Sequence, residues 1–131
     1  MPNTYFATLS GTKLAIQQPA TGGNNIKLIK AIIYVAAATT VTLKWNATTV
    51  HSTTAGTAIP LPGTYSKALA NIFTAANGSG ETTGPVYNLA DTSQQIIDLS
   101  EYSIPTGGAT QNFSITAGGT ATIQLFWTEG I

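Results

Sequence analysis

One histidine, His51, and five carboxylates, Glu81, Asp91, Asp98, Glu101 and Glu129, are the side chains of this 131-residue sequence suited to acid–base work. His51 falls between Val50 and Ser52 in a segment that alternates like a strand, and no partner is identifiable for it from spacing. A lone base of this kind reads as a surface residue or a hydrogen-bonded structural one. Glycoside hydrolysis requires two carboxylates across a cleft. Asp98 and Glu101 lie at a strand end and three residues apart, close enough to converge, but solvated turn acids show the same spacing. The metalloprotease His-Glu pattern, the EF-hand acid spacing and the G-x-S-x-G elbow are all missing. Gly78-Ser79-Gly80 is a fragment of the last, placed in a loop without its strand and helix. Gly22-Gly23 and Gly107-Gly108 lack the following Lys-Ser/Thr of a phosphate loop. A weak calcium site built on backbone carbonyls with Asp91 or Asp98 has only one acid in each candidate loop. The expectation is a protein with no catalytic residue, cofactor or metal.

Composition narrows the class further. Five Lys, no Arg and five acids give a net charge of zero, with charged residues at 8%. Such a chain lacks the basic face and Arg forks of a nucleic-acid binder and the polybasic patch of a membrane clamp. With no Cys it has no disulfide framework, no thiolate zinc site and no thiol nucleophile. Its polar positions go to Thr, 23 of them, and its small ones to 18 Ala and 13 Gly. The most apolar stretch, 26–38, is interrupted by Lys27 and Lys30 and falls short of a membrane span. The start of the sequence has no charged segment leading into an apolar run, so a protein made in a cytoplasm and not exported by a signal peptide is expected.

The elements that must position these residues are strands. Apolar alternation dominates, with turn signals about every ten residues, and a single all-β domain over 1–131 follows. A β-sandwich with jelly-roll connections is the expected architecture. Residues 5–9 and 12–17 alternate on either side of Ser10-Gly11 and predict a hairpin. Residues 26–37 form a long β-branched strand whose alternation slips near Ile29 and Lys30, the mark of a bulge or of burial on both faces. Val41, Leu43 and Trp45 alternate cleanly, and 48–54 is the expected hairpin partner. Residues 66–76 hold the one segment with helix propensity, with Leu69, Ile72 and Phe73 at helical spacing. Residues 77–85 read as an exposed loop, followed by short strands at 86–89 and 95–99. At the end, Phe113, Ile115 and Ala117 precede Gly118-Gly119, and Ala121, Ile123, Leu125 and Trp127 follow, predicting a hairpin turned by the Gly pair.

Trp45 and Trp127 share the apolar phase of their strands and read as core. Phe126 takes the opposite phase, beside Gln and Thr, and is a candidate contact with another protein. Tyr5 and Phe6 near the start, and Ile131 at the end, are further candidate contacts because they place large apolar groups at the ends of a small domain. The competing reading makes these end segments edge strands of the domain's own sheets.

Residues 26–45 run as an apolar strand, a short alanine stretch, then Thr-Thr-Val-Thr-Leu-Lys; residues 118–125 run Gly-Gly-Thr-Ala-Thr-Ile-Gln-Leu. Over about half the chain this resembles the small β-sandwich decoration (cement) proteins of tailed-bacteriophage capsids. The resemblance implies a non-enzymatic virion protein on the capsid exterior that bridges capsomers of the major capsid protein, stabilises the shell and assembles as a homotrimer. A surface of Thr, Ser, Asn and Gln suits such contacts, because its desolvation costs less than that of Lys and Glu. The rival expectation is a glycan-binding or host-recognition module of a phage fibre or other virion appendage, using loop aromatics such as Tyr65, Tyr87 or Tyr102.

Overall fold

The computed structural model describes residues 3–64 and 66–130. Nine strands run as β1 (Asn3–Gln17), β2 (Ile26–Val35), β3 (Thr39–Trp45), β4 (Ile59–Pro60), β5 (Asn71–Phe73), β6 (Thr82–Leu89), β7 (Ser93–Asp98), β8 (Ser103–Ile104) and β9 (Asn112–Glu129). All their pairings are antiparallel and join them in one open sheet, with no helix among the described residues.

Two long strands organise the rest. The first half of β1, Asn3 to Gly11, pairs with the second half of β9, Ala121 to Glu129. Its second half, Lys13 to Gln17, pairs with Asn112 to Thr116 after a register shift at Gly11/Lys13. Each half of this ribbon gathers its own neighbours. β4, β2, β7 and β8 extend the half containing Tyr5 and Trp127, whereas β5, β3 and β6 extend the half containing Ile16 and Phe113. The apolar residues of both halves belong to one buried cluster, so the sheet folds over on itself as a sandwich does.

Both hairpins expected at Gly11 and Gly118-Gly119 are therefore single strands that continue through their glycines. Neither Gly118 nor Gly119 has the positive φ that a two-residue turn requires. Glycine inside a strand instead marks a bend or a close approach, and a Cβ on Gly118 would sit 3.3 Å from Thr39 Oγ1. The helix expected near 66–76 is absent, and β5 occupies its centre, with Ile72 buried against Ile16 of β1. Tertiary pairing overrode a weak local propensity there. Residues 48–54 are not the partner of β3, which pairs with β6 and β9. The predicted slip in 26–37 is present as a register shift between Leu28 and Lys30.

Alternation decides which side chains face inward. Tyr5, Ala7, Leu28, Ile33, Val41, Leu43, Ile115, Ile123, Leu125 and Trp127 are all essentially inaccessible. Trp127 stacks on Tyr5 with centroids 5.9 Å apart, and its indole N–H donates to Glu129 at 2.9 Å.

Candidate functional site

Among the candidate contact residues the structure separates Tyr5 from the others. Tyr5 points into the core at 1% exposure and donates its hydroxyl to Ser66 O at 2.8 Å, so it is no surface contact. Adjacent residues of a strand point to opposite faces, which leaves Phe6 on the outer face once Tyr5 is inside. Phe6 pairs with Phe126 across β1 and β9, and their half-buried rings stack at 5.7 Å with a 23° tilt. Ile131 lies outside the described residues, as does Tyr65.

The outer face around Phe6 and Phe126 is a wide, sparsely charged surface. One row across it runs Ile59, Phe6, Phe126, Lys30 and Asp98. The next runs Thr8, Gln124, Ile32 and Ile96. Ile59 is 42% exposed and Ile96 58%, while the Lys30 ammonium sits 5.2 Å over the Phe126 ring as a cation–π pair. The terminal segments carrying Phe6 and Phe126 are central strands, with β4 on one side and β2 on the other. Single-residue alternation exposed Phe126 in the sequence, but Ile32, Ile59 and Ile96 join it only through cross-strand register.

The titratable groups cluster elsewhere. His51 is 1% exposed, and its backbone is held by the Gln17 side chain, which accepts from His51 N at 3.0 Å and donates to His51 O at 3.1 Å. Its Nδ1 accepts from Gly78 N at 2.9 Å, which assigns the neutral ring's proton to Nε2. Nε2 faces Glu81 Oε2 at 3.7 Å, too long for a hydrogen bond. Glu81 in turn takes Lys13 Nζ at 2.6 Å and the Ser114 hydroxyl at 2.5 Å. Burial lowers the His51 pKa below its ordinary value, with Lys13 adding to the effect and Glu81 opposing it. Burial also raises that of Glu81, but the bonds from Lys13 and Ser114 and the nearby charges outweigh it and hold the carboxyl low.

A Ser, a His and a Glu in one place invite comparison with a hydrolase triad, and the order of contacts excludes it. In a triad the base stands between nucleophile and acid. Here the carboxylate stands between, and Ser114 donates to Glu81. The cluster ties the loops around His51 and Glu81 to β1 and β9. Glu129 is also structural: its carboxylate accepts from the backbone N–H of Leu69 at 2.8 Å and of Ala70 at 3.3 Å. Asp98 and Glu101 do not converge on a common task. Asp98 is held low by hydrogen bonds from Ser100, whereas Glu101 lines a separate cleft. Among the described residues no three His, Asp or Glu are grouped to hold a metal.

That cleft, about 390 Å³, opens between the two halves of the sheet. Trp45 and Phe113 come from β3 and β9, and Tyr102 comes from the turn between β7 and β8. Tyr102 lies 5.7 Å from Trp45 and 6.2 Å from Phe113 between ring centroids. Trp45, expected as core, is half-buried at the core's edge, while Trp127 is fully enclosed. Trp45 can lie flat because it crosses Gly84 of β6, where a Cβ would overlap the indole. No family model matches this chain, and no curated protein matches it either.

Proposed function

We propose that the protein is a non-enzymatic decoration protein of a tailed-phage capsid, docking on the major capsid protein from outside and stabilising the shell. The observation that carries this reading is the outer face bearing Ile59, Phe6, Phe126, Ile32 and Ile96, five apolar side chains on one regular surface. Lys30 and Asp98 are neighbours in register at the end of one row, where the Lys30 ammonium lies over the Phe126 ring and Asp98 accepts from Ser100 N–H. A standard interface takes roughly 800 Å² from each partner. That is about an eighth of this chain's 6507 Å² of surface.

A ligand that binds the assembled shell and not its unfolded subunits stabilises the shell by mass action. Virions stripped of the protein should release DNA at a lower temperature than decorated ones, and adding the protein back should restore resistance. Replacing Phe126 with Ser and Ile96 with Ser should abolish the restoration while circular dichroism remains that of the wild type. Truncating residues 1–6 is not a usable test, since it removes Tyr5 from the core. Equal release temperatures with and without the protein would overturn the proposal.

A further inference from the structure

We infer that the cleft between Trp45 and Tyr102 is a binding site for a neutral saccharide. Its two half-buried rings provide an apolar floor, tilted 39° to one another, with buried Phe113 packed beside Tyr102. Around that floor, the side chains of Asn46, Glu101 and Gln111 are engaged in no hydrogen bond among the described residues. The neighbouring Asn112 differs: its amide is fully used on Ala47 and Ala109. An apolar face beside uncommitted amide and carboxylate groups matches a pyranose ring, which is apolar across its C–H faces and ringed by hydroxyls. A purely apolar ligand would strip water from these polar groups and return nothing.

Charge selects the kind of sugar. No Lys or His lines the cleft, and Glu101 is its one carboxylate among the described residues. Acidic sugars and phosphates would be repelled, whereas a hydroxyl can donate to Glu101 in a charge-assisted bond. A second carboxylate for glycosidic cleavage is missing from the lining, so the cleft binds without hydrolysing. The volume falls within the range of roughly 300–1,000 Å³ common to small-ligand sites. The walls are already held in place. Asn46 adopts φ 58° and donates its N–H to Asn112 O at 2.9 Å, while Tyr102 bonds Leu99 and Leu28 through its backbone. None of these residues belongs to the outer face, so this inference and the docking proposal fail independently.

The test is an NMR titration of the folded chain with cellohexaose, maltohexaose, mannohexaose and N-acetylchitohexaose, with oligogalacturonate and a Pro/Tyr-rich peptide alongside. The Trp45 indole N–H reports on the cleft. The Trp127 N–H, bonded to Glu129 in the core, is the internal reference. At least one neutral hexasaccharide should move Trp45 and not Trp127, and oligogalacturonate should move neither. Tyr102→Ala should weaken the binding by about tenfold or more, Gln111→Ala by about threefold, and Phe126→Ser should leave it unchanged. Silence of Trp45 toward all four neutral sugars at concentrations on the order of 10 mM would overturn the inference. Undiminished sugar binding in Tyr102→Ala, or a response to the peptide alone, would overturn it equally.

Discussion

His51 is held neutral in a buried site, and this has a thermodynamic consequence. Its folded-state pKa lies below the ordinary 6.5, and that of Glu81 lies below the ordinary 4.5. In both cases the unfolded chain binds protons more readily than the folded one, so stability rises with pH. The contribution of His51 is present above pH 6.5 and is lost as pH falls through its lowered folded value. Glu81 follows the same sign from pH 4.5 downward. The melting temperature should therefore be flat from neutrality up to the range where Tyr5, its pKa raised by burial, titrates. On acidification it should decline in two stages, with Asp98 adding to the lower one. His51→Gln retains an acceptor for Gly78 N–H and cannot titrate. It should remove the upper stage and leave the lower one, as thermal melts across the pH range would show. An unchanged upper stage in the variant would assign that stage to another group.

At the scale of elements, β1 and β9 do what four separate strands were expected to do. Each passes a glycine without reversing, and the register shift at Gly11/Lys13 marks where the paired ribbon changes neighbours. Strands that pass from one layer to the other at a bend are a recurrent way to close a sheet over a core. Gly119 provides a direct check. Its φ is not positive, and an added Cβ would meet Thr39 Oγ1 at 3.5 Å, ordinary contact. Gly119→Ala should raise stability by about 0.4–1 kcal/mol, because it restricts only the unfolded chain. In a Gly-Gly hairpin turn the same change would force an unfavourable φ and lower stability, so the sign measured by urea denaturation separates the two geometries.

For the whole molecule, the outer face and the cleft divide the surface into two regions with different chemistry. The face is regular and broad, with five apolar side chains among the nine of its two rows; the cleft is small, with an aromatic floor beside polar groups. The resemblance to decoration proteins further implies a homotrimer. Sedimentation equilibrium at micromolar concentration should give the mass of three 13.5 kDa chains. A strict monomer would count against self-association in free solution while leaving docking on the shell to be judged by DNA release.

The all-β character followed from residue order alone, because period-two alternation in 41–45, 113–117 and 121–127 has one physical solution, a strand with one buried face. The outward phase of Phe126 and the slip near Ile29 and Lys30 were legible for the same reason, and the structure resolved that slip as a register shift. Alternation is a local property, and it carries no information about which strand lies alongside. Gly11 and Gly118-Gly119 permit either a turn or a bend, and only the competition for partners along the full length of β1 and β9 selected the bend. The stacking of inward-facing Tyr5 on Trp127 also depended on the pairing of β1 with β9. Register likewise brought Ile59, Phe6 and Phe126 into one row. Trp45 and Tyr102, 57 residues apart in the chain, share a cleft because the two halves of the sheet close over one core. Contacts between residues so distant are set by tertiary packing, which the spacing of a single sequence does not encode.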